Sequence, residues 1–130
     1  MTTMGRFQRL LSRWLPAILW MGLIFYLSSQ PDLPRHPDDL VDTVLKKMMH
    51  VGEYAILAYL LWRALSDAKL AKNNPIALSL ILSFLYALSD EYHQSFVPGR
   101  NGSVVDVGID TMGAMLPLAL LKLWKKGAGR

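Results

Sequence analysis

The stretch WLPAILWMGLIFYLSSQP, residues 14–31, carries no charged side chain over 18 positions. At about 1.5 Å of rise per residue, a helix of this length extends roughly 27 Å, close to the thickness of a bilayer's hydrocarbon core. We therefore predict a membrane-spanning helix over residues 14–31. A cleaved signal peptide is the competing interpretation, because Arg6, Arg9 and Arg13 precede the apolar run. The small-residue cleavage motif of such peptides is not found here, and the aromatic side chains of this stretch favour the membrane span.

Three further apolar blocks follow, separated by polar segments that contain proline and glycine. Asn74 suits the N-cap of the third helix, and Pro75 suits its first position. The turn dipeptide Pro98-Gly99 lies between the third block and the fourth. We predict the three further spans over residues 48–65, 75–89 and 104–123.

The segment before the second block has an amphipathic helical pattern. Its apolar side chains recur at a spacing of four and form one stripe: Leu40, Val41, Val44, Leu45, Met48 and Met49. The polar side chains lie on the other side: Asp39, Asp42, Thr43, Lys46, Lys47, His50 and Glu53. We expect the first half of this helix to lie at the membrane interface and the second half to insert. The sequence thus predicts an all-α fold, a four-helix transmembrane bundle with an amphipathic interfacial extension before helix two, formed by residues 1–130 as a single domain.

The chain has no cysteine, which excludes disulfides, thiol catalysis and cysteine metal sites.

The basic residues predict the orientation. The net charge of +4 does not indicate nucleic acid, because the basic residues flank the apolar blocks. Ten lie on one side of the predicted bundle: Arg6, Arg9, Arg13, Arg63, Lys69, Lys72, Lys122, Lys125, Lys126 and Arg130. Four lie on the other: Arg35, Lys46, Lys47 and Arg100. The positive-inside rule then places both termini in the cytoplasm, in a multi-pass protein.

Under this topology the ionisable residues of the blocks gather at the outer ends of the helices. They are His50, Glu53, Asp90, Glu91, His93, Arg100, Asp106 and Asp110. A charged side chain at a helix centre costs about 2.5–3.5 kcal/mol on insertion scales, so such residues usually face the bundle interior and mark function. Asp106 and Asp110 share a helix face with Gly113 and Ala114, which would let a neighbouring helix approach closely.

Each of these groups also has a structural interpretation. Asp106 follows Ser103 by three residues and suits a capping box. Glu53 suits a structural ion pair with Arg100. His50 suits an interfacial histidine, and the pair Asp90 and Glu91 suits simple solvation in the outer loop. Lys46 and Lys47 suit interfacial anchors, and Tyr54 suits the core or an aromatic belt.

Four motifs together resemble the VanZ-like family, and the resemblance covers roughly residues 20–116. They are Ile24-Phe25-Tyr26-Leu27-Ser28-Ser29-Gln30-Pro31, Lys47-x-x-His50-x-x-Glu53-Tyr54, Ser89-Asp90-Glu91-Tyr92-His93-Gln94-Ser95-Phe96-Val97-Pro98-Gly99-Arg100, and Asp106-x-x-x-Asp110-x-x-Gly113. The resemblance implies an integral protein of the bacterial cytoplasmic (inner) membrane. The family's founding member is associated with low-level resistance to teicoplanin, a glycopeptide that acts on cell-wall precursors.

Three functions remain open at this stage. The first is an enzyme that acts on a lipid-linked or cell-envelope substrate, with the eight outer ionisable residues as its candidate catalytic cluster. In one version Glu53, Asp106 and Asp110 hold a divalent metal ion while His50 or His93 moves the proton. The second is a non-enzymatic factor that binds an envelope lipid or a partner protein. The third is a small transporter or channel. It ranks last because the inner halves of the spans hold almost no ionisable group. The candidate substrate-binding residues are Gln30, Lys46, Lys47, Gln94 and Arg100.

Overall fold

A computed structural model describes residues 3–30, 37–66, 74–100 and 102–128. Within these ranges the chain forms four α-helices and no strand: α1 (Thr3–Ser28), α2 (Asp39–Ser66), α3 (Pro75–Gln94) and α4 (Val104–Ala128). The predicted all-α class and the four helices are confirmed. Pro31, at the end of the first predicted span, lies outside the described residues, as do four of the basic residues used for the orientation: Arg35, Lys69, Lys72 and Arg130.

The helices are longer than the apolar blocks that predicted them. α1 begins at Thr3 rather than at residue 14, and α3 and α4 continue past the predicted ends at residues 89 and 123. Backbone hydrogen bonding continues through the polar ends of a helix, whereas a hydropathy block ends at the first charges. α2 begins at Asp39, so the amphipathic extension and the second block form one helix.

The start of α3 has the cap that its sequence predicts. The Asn74 side chain accepts a hydrogen bond from the Ala77 amide at 3.0 Å. Pro75 occupies the first helical position, where its missing N–H leaves no internal bond unmade. Asn74 and Pro75 therefore begin the helix together, and the prediction is confirmed.

The polarity of α3 is inverted relative to a helix on the surface of a soluble protein. Its buried residues are Ser79, Ser83, Ala87, Asp90, Glu91 and Gln94. Its exposed face carries large apolar side chains, including Ile81, Phe84, Leu85 and Leu88. The start of α2 has the same character, because Asp42 is buried while Leu40, Val44 and Met48 are exposed. Such an outer surface suits hydrocarbon surroundings better than water.

Two of the described helices are long and apolar enough to cross a membrane, namely Gly5–Ser28 of α1 and Val104–Ala128 of α4. The core helix of a soluble protein would be mostly buried. In the most apolar stretches of these two helices, only 11% and 28% of the residues are buried, which argues against that alternative.

The helices run up and down, with α2 in contact with each of the other three. α2 and α4 are in close backbone contact at Gly113, where an added Cβ would lie 2.5 Å from the Val51 carbonyl oxygen. The predicted close approach at Gly113 is therefore confirmed. α1 is held by hydrogen bonds to backbone carbonyls: Trp20 Nε1 donates to the Glu53 oxygen at 2.8 Å, and the Tyr86 hydroxyl donates to the Met21 oxygen at 2.5 Å.

Candidate functional site

The α3–α4 loop brings Arg100 onto the end of α1. The Arg100 amide donates to the Val97 carbonyl at 3.1 Å, which closes a turn with Pro98 second and Gly99 third. Gly99 has φ of 79°, a conformation that glycine adopts at little cost. Arg100 then donates from Nε to the Gln30 carbonyl at 2.9 Å and from Nη2 to the Leu27 carbonyl at 3.0 Å. The guanidinium thereby satisfies carbonyls at the C-terminus of α1.

Three helices bring four ionisable side chains together at the same end of the bundle. His50 of α2, Asp90 and Glu91 of α3, and Asp110 of α4 each place one potential ligand atom within 4.8 Å of the others. We call these four residues the carboxylate–histidine cluster. His50 Nδ1 lies 3.1 Å from Asp110 Oδ1. Asp110 is fully buried, and Asp90 and Glu91 are 4% and 5% exposed, so the interpretation of the latter two as solvated loop residues is wrong.

Neighbouring groups hold one oxygen of each carboxylate in this cluster. Asp90 Oδ2 accepts from the Tyr54 hydroxyl at 3.1 Å and from Gln94 Nε2 at 3.4 Å. Glu91 Oε2 accepts from the Ser103 amide at 3.0 Å. The second oxygens of two members, Glu91 Oε1 and Asp110 Oδ2, are buried without a hydrogen-bond partner.

Glu91 lies beyond the predicted end of the third span. Burial raises the pKa of its carboxyl to about 7, although the hydrogen bond from the Ser103 amide lowers it. The loop depends on Gly102 at this point, because an added Cβ would collide with the Glu91 backbone oxygen. A larger residue at position 102 would therefore push Ser103 away from the Glu91 side chain.

The other predicted site residues have separate partners. Ser103 is the N-cap of α4, since its Oγ accepts from the amides of Val105 and Asp106 at 3.1 and 3.3 Å. The reciprocal bond of a capping box comes from Glu91 rather than from Asp106, because the Asp106 carboxylate accepts from Lys47 Nζ at 2.9 Å. Asp106 therefore does not complete the capping box that its spacing suggested.

Among the described residues no ion pair joins Glu53 to Arg100, whose Nε and Nη2 donate to carbonyls of α1. Lys46 pairs with Asp42 at 2.9 Å. The His93 ring stacks on Phe25 with 4.4 Å between centroids. Of the proposed metal set Glu53, Asp106 and Asp110, the structure places only Asp110 in the carboxylate–histidine cluster.

Two of the predicted substrate-binding residues bond within the protein. Gln94 Nε2 donates to Ser28 Oγ at 3.2 Å, so it links Asp90 to the end of α1. Gln30 offers its backbone carbonyl to Arg100, while its side chain donates to the Tyr26 carbonyl at 3.3 Å.

A small polar pocket adjoins the cluster. Its volume is about 30 Å³, enough for a water molecule. An apolar groove of about 310 Å³ runs between α1 and α2 beside it. Three residues line both spaces: Leu27, Met49 and Glu53. The pocket's other lining residues are Ser28, Lys46, His50 and Arg100. The groove's other lining residues are Trp20, Leu23, Ile24, Gly52 and Ile56.

Tyr54 is the main functional residue that the sequence analysis missed, because the sequence indicated only a structural role in the core or an aromatic belt. It is completely buried, as predicted for a core residue, but its hydroxyl also holds Asp90. Its position four residues after His50 could have indicated this role, because residues four apart share a helix face.

Comparison with known proteins identifies one family. A family model described as VanZ/LLP1 matches residues 13–125, most of the chain, including all four members of the carboxylate–histidine cluster. No curated protein and no solved structure matches the chain.

Proposed function

The chain belongs to the VanZ/LLP1 family, and from this premise we propose that it is a four-span bacterial membrane protein whose outward-facing pocket binds a lipid-linked phosphate of the cell envelope. The apolar outer surfaces of α2 and α3 support the proposal that these helices cross the membrane together with α1 and α4. The excess of Lys and Arg at the opposite ends of the helices supports cytoplasmic termini and an outward-facing pocket in the cytoplasmic membrane.

The observation that carries the proposal is that the polar pocket and the apolar groove lie side by side and share three lining residues. The groove between α1 and α2 has a volume of about 310 Å³, and its almost entirely apolar lining suits a hydrocarbon chain. The pocket beside it contains the cationic side chains of Lys46 and Arg100, which suit an anionic phosphate. A lipid with a phosphate headgroup has both of these parts. Its chain would lie in the groove, and its phosphate would lie at the mouth of the pocket, because the pocket itself has room for only about one water molecule.

The pair His50 and Asp110 favours a chemical role in addition to binding. A carboxylate at 3.1 Å from Nδ1 orients the imidazole and leaves Nε2 as the nitrogen for a second partner. Because His50 also lines the polar pocket, its imidazole is placed to take or give a proton at a bound headgroup. A purely binding factor would use the same contacts, and the two roles differ in whether the recovered lipid is chemically changed.

Substitution of Gly52 by leucine tests the groove. A Cβ at Gly52 meets no atom within 4 Å, so leucine is accommodated in the helix and fills part of the groove. Gly108→Leu on α4 is the matched control, because Gly108 is also exposed, has the same open space and does not line the groove. We expect at least about tenfold weaker binding of a polyprenyl phosphate to Gly52→Leu, and unchanged binding to Gly108→Leu.

Native mass spectrometry of the purified protein in detergent measures this binding, with phosphatidylcholine as the zwitterionic comparison lipid. Equal binding of polyprenyl phosphate by the two leucine variants would refute binding of the lipid chain in the groove. Phosphatidylcholine carries its phosphate as a diester whose charge is balanced by choline. Equal retention of phosphatidylcholine and polyprenyl phosphate would therefore refute selection of an anionic phosphate monoester.

The same pair of variants tests the cellular role. We propose that the protein lowers susceptibility to teicoplanin by acting on an envelope lipid. In a strain that lacks the protein, the wild type and Gly108→Leu should restore the minimum inhibitory concentration of teicoplanin, and Gly52→Leu should not. Full restoration by Gly52→Leu, at equal amounts of protein in the membrane, would exclude a role for the groove.

A further inference from the structure

The carboxylate–histidine cluster contains more acidic than basic groups. Three of its members are carboxylic acids, each at least nine-tenths buried, and His50 is its one basic member. Three cations of the described residues lie nearby, and each has another partner. Lys46 pairs with Asp42 and Lys47 with Asp106, while Arg100 donates to carbonyls of α1. Burying unbalanced charge costs several kcal/mol per ion, so these carboxylates require bound protons or a bound cation.

The geometry of the cluster suits a cation. Its four potential ligand atoms lie within 4.8 Å of one another. Ligands on opposite sides of a divalent ion are separated by about 4–5 Å, twice a metal–ligand bond. Asp110 is fully buried, and its Oδ2 has no hydrogen-bond partner. Glu91 Oε1 is in the same condition, so two buried acceptor atoms of the cluster lack a donor.

The groups around the cluster resemble the supporting shell of a metal site. Tyr54 and Gln94 hold one oxygen of Asp90, and the Ser103 amide holds one oxygen of Glu91. Hydrogen bonds of this kind orient ligand carboxylates and leave the other oxygen for the metal. They come from α2, α3 and the start of α4, so the bundle itself positions the ligands.

We propose that His50, Asp90, Glu91 and Asp110 bind one divalent transition-metal ion. A mixed set of one imidazole and three carboxylates favours ions such as Mn²⁺ or Zn²⁺ over Mg²⁺, which prefers oxygen ligands alone. The site goes beyond the proposed lipid function, because it is complete in the protein without lipid. With the ion bound, His50 serves as a ligand, so the proton transfer proposed for its imidazole belongs to the protein without the ion.

The test is a titration of the purified, metal-free protein with Mn²⁺ in detergent, with no polyprenyl phosphate present. Electron paramagnetic resonance measures free Mn²⁺, and Zn²⁺ and Mg²⁺ serve as competitors. We expect one Mn²⁺ per chain, displaced by Zn²⁺ at far lower concentration than by Mg²⁺. Asp110→Asn should weaken binding by at least about 100-fold. Asp106→Asn is the control, because Asp106 pairs with Lys47 outside the cluster and its loss should change the affinity less than about threefold.

Circular dichroism and size-exclusion chromatography of the same samples report whether each variant is folded. If Asp110→Asn does not fold, the wild type alone tests the proposal. A folded wild type that binds no Mn²⁺ at millimolar concentration refutes the metal site. Equal affinity in the wild type and a folded Asp110→Asn variant overturns it as well. Gly52→Leu should bind Mn²⁺ like the wild type, so failure of the lipid proposal is distinguishable from failure of the metal proposal.

Discussion

Substitution of Gly113 by alanine would test whether the contact between α2 and α4 holds the site together. The added Cβ would lie 2.5 Å from the Val51 carbonyl oxygen and 2.8 Å from the Val51 Cα, both backbone atoms that cannot rotate away. Ordinary contact begins near 3.4 Å, so the two helices would have to separate by about 0.9 Å. His50 precedes Val51, and Asp110 lies one turn before Gly113. Their 3.1 Å hydrogen bond would open to about 4 Å, beyond bonding distance.

The expected loss of stability follows from two opposing effects. Overpacking of this kind costs about 1–3 kcal/mol, while replacing a helical glycine by alanine stabilises by about 0.5–1 kcal/mol. Gly108→Ala isolates the second effect, because a Cβ at Gly108 meets no atom within 4 Å. At roughly 4 °C per kcal/mol for a chain of this length, Gly113→Ala should melt about 4–12 °C below Gly108→Ala.

The assay is thermal unfolding of both variants in the same detergent, followed by tryptophan fluorescence, with the Mn²⁺ titration run beside it. Gly113→Ala should bind Mn²⁺ at least about tenfold more weakly than Gly108→Ala, because His50 no longer reaches Asp110. A Gly113→Ala variant that melts at or above Gly108→Ala and binds the ion equally well would refute the predicted separation of the helices. That result would mean that α2 and α4 are not in backbone contact at Gly113.

Three further predictions concern the site and its orientation. Tyr54→Phe should stay folded and bind Mn²⁺ about 10–100-fold more weakly, because Asp90 loses its hydroxyl donor; an unchanged affinity in the same titration would contradict this. Lowering the pH from about 8 to about 6 should weaken Mn²⁺ binding by at least about tenfold. The reason is that burial raises the pKa of the Glu91 carboxyl to about 7, and this carboxyl must lose its proton to bind the ion. An affinity that does not change with pH would exclude Glu91 as a ligand. In the cysteine-free chain, an impermeant thiol reagent on intact cells should label Ser95→Cys but not Ser66→Cys, both exposed serines at helix ends; the reverse pattern would place the site in the cytoplasm.

Local signals in the sequence account for most of the secondary structure. The charge-free run of residues 14–31 and the three later apolar blocks predicted all four helices, because a helix satisfies its own backbone hydrogen bonds within one segment. The Asn74-Pro75 cap is confirmed for the same reason, since all of its partners lie within four residues. The outward orientation of the site depends on the membrane rather than on packing, and it stays a prediction.

The choice of partners inside the site required the tertiary structure. Asp106 and Asp110 are equivalent by helical spacing, yet Lys47 binds the first and His50 binds the second. Spacing shows which residues of one helix share a face, but not how far a neighbouring helix is shifted along its axis. A shift of one turn, about 5.4 Å, would bring Asp106 opposite His50 or Asp110 opposite Lys47.

The sequence by itself therefore determined that the chain forms four helices and roughly where each one lies, and it predicted that the ionisable groups gather at one end of the helices. Both properties depend on residues close together in the chain. Only the tertiary structure decided that Asp90, Glu91 and Asp110 meet His50 while Asp106 does not. That selection depends on the close approach at Gly113 and on the loop bonds around Gly102, which join residues far apart in the chain or in different helices.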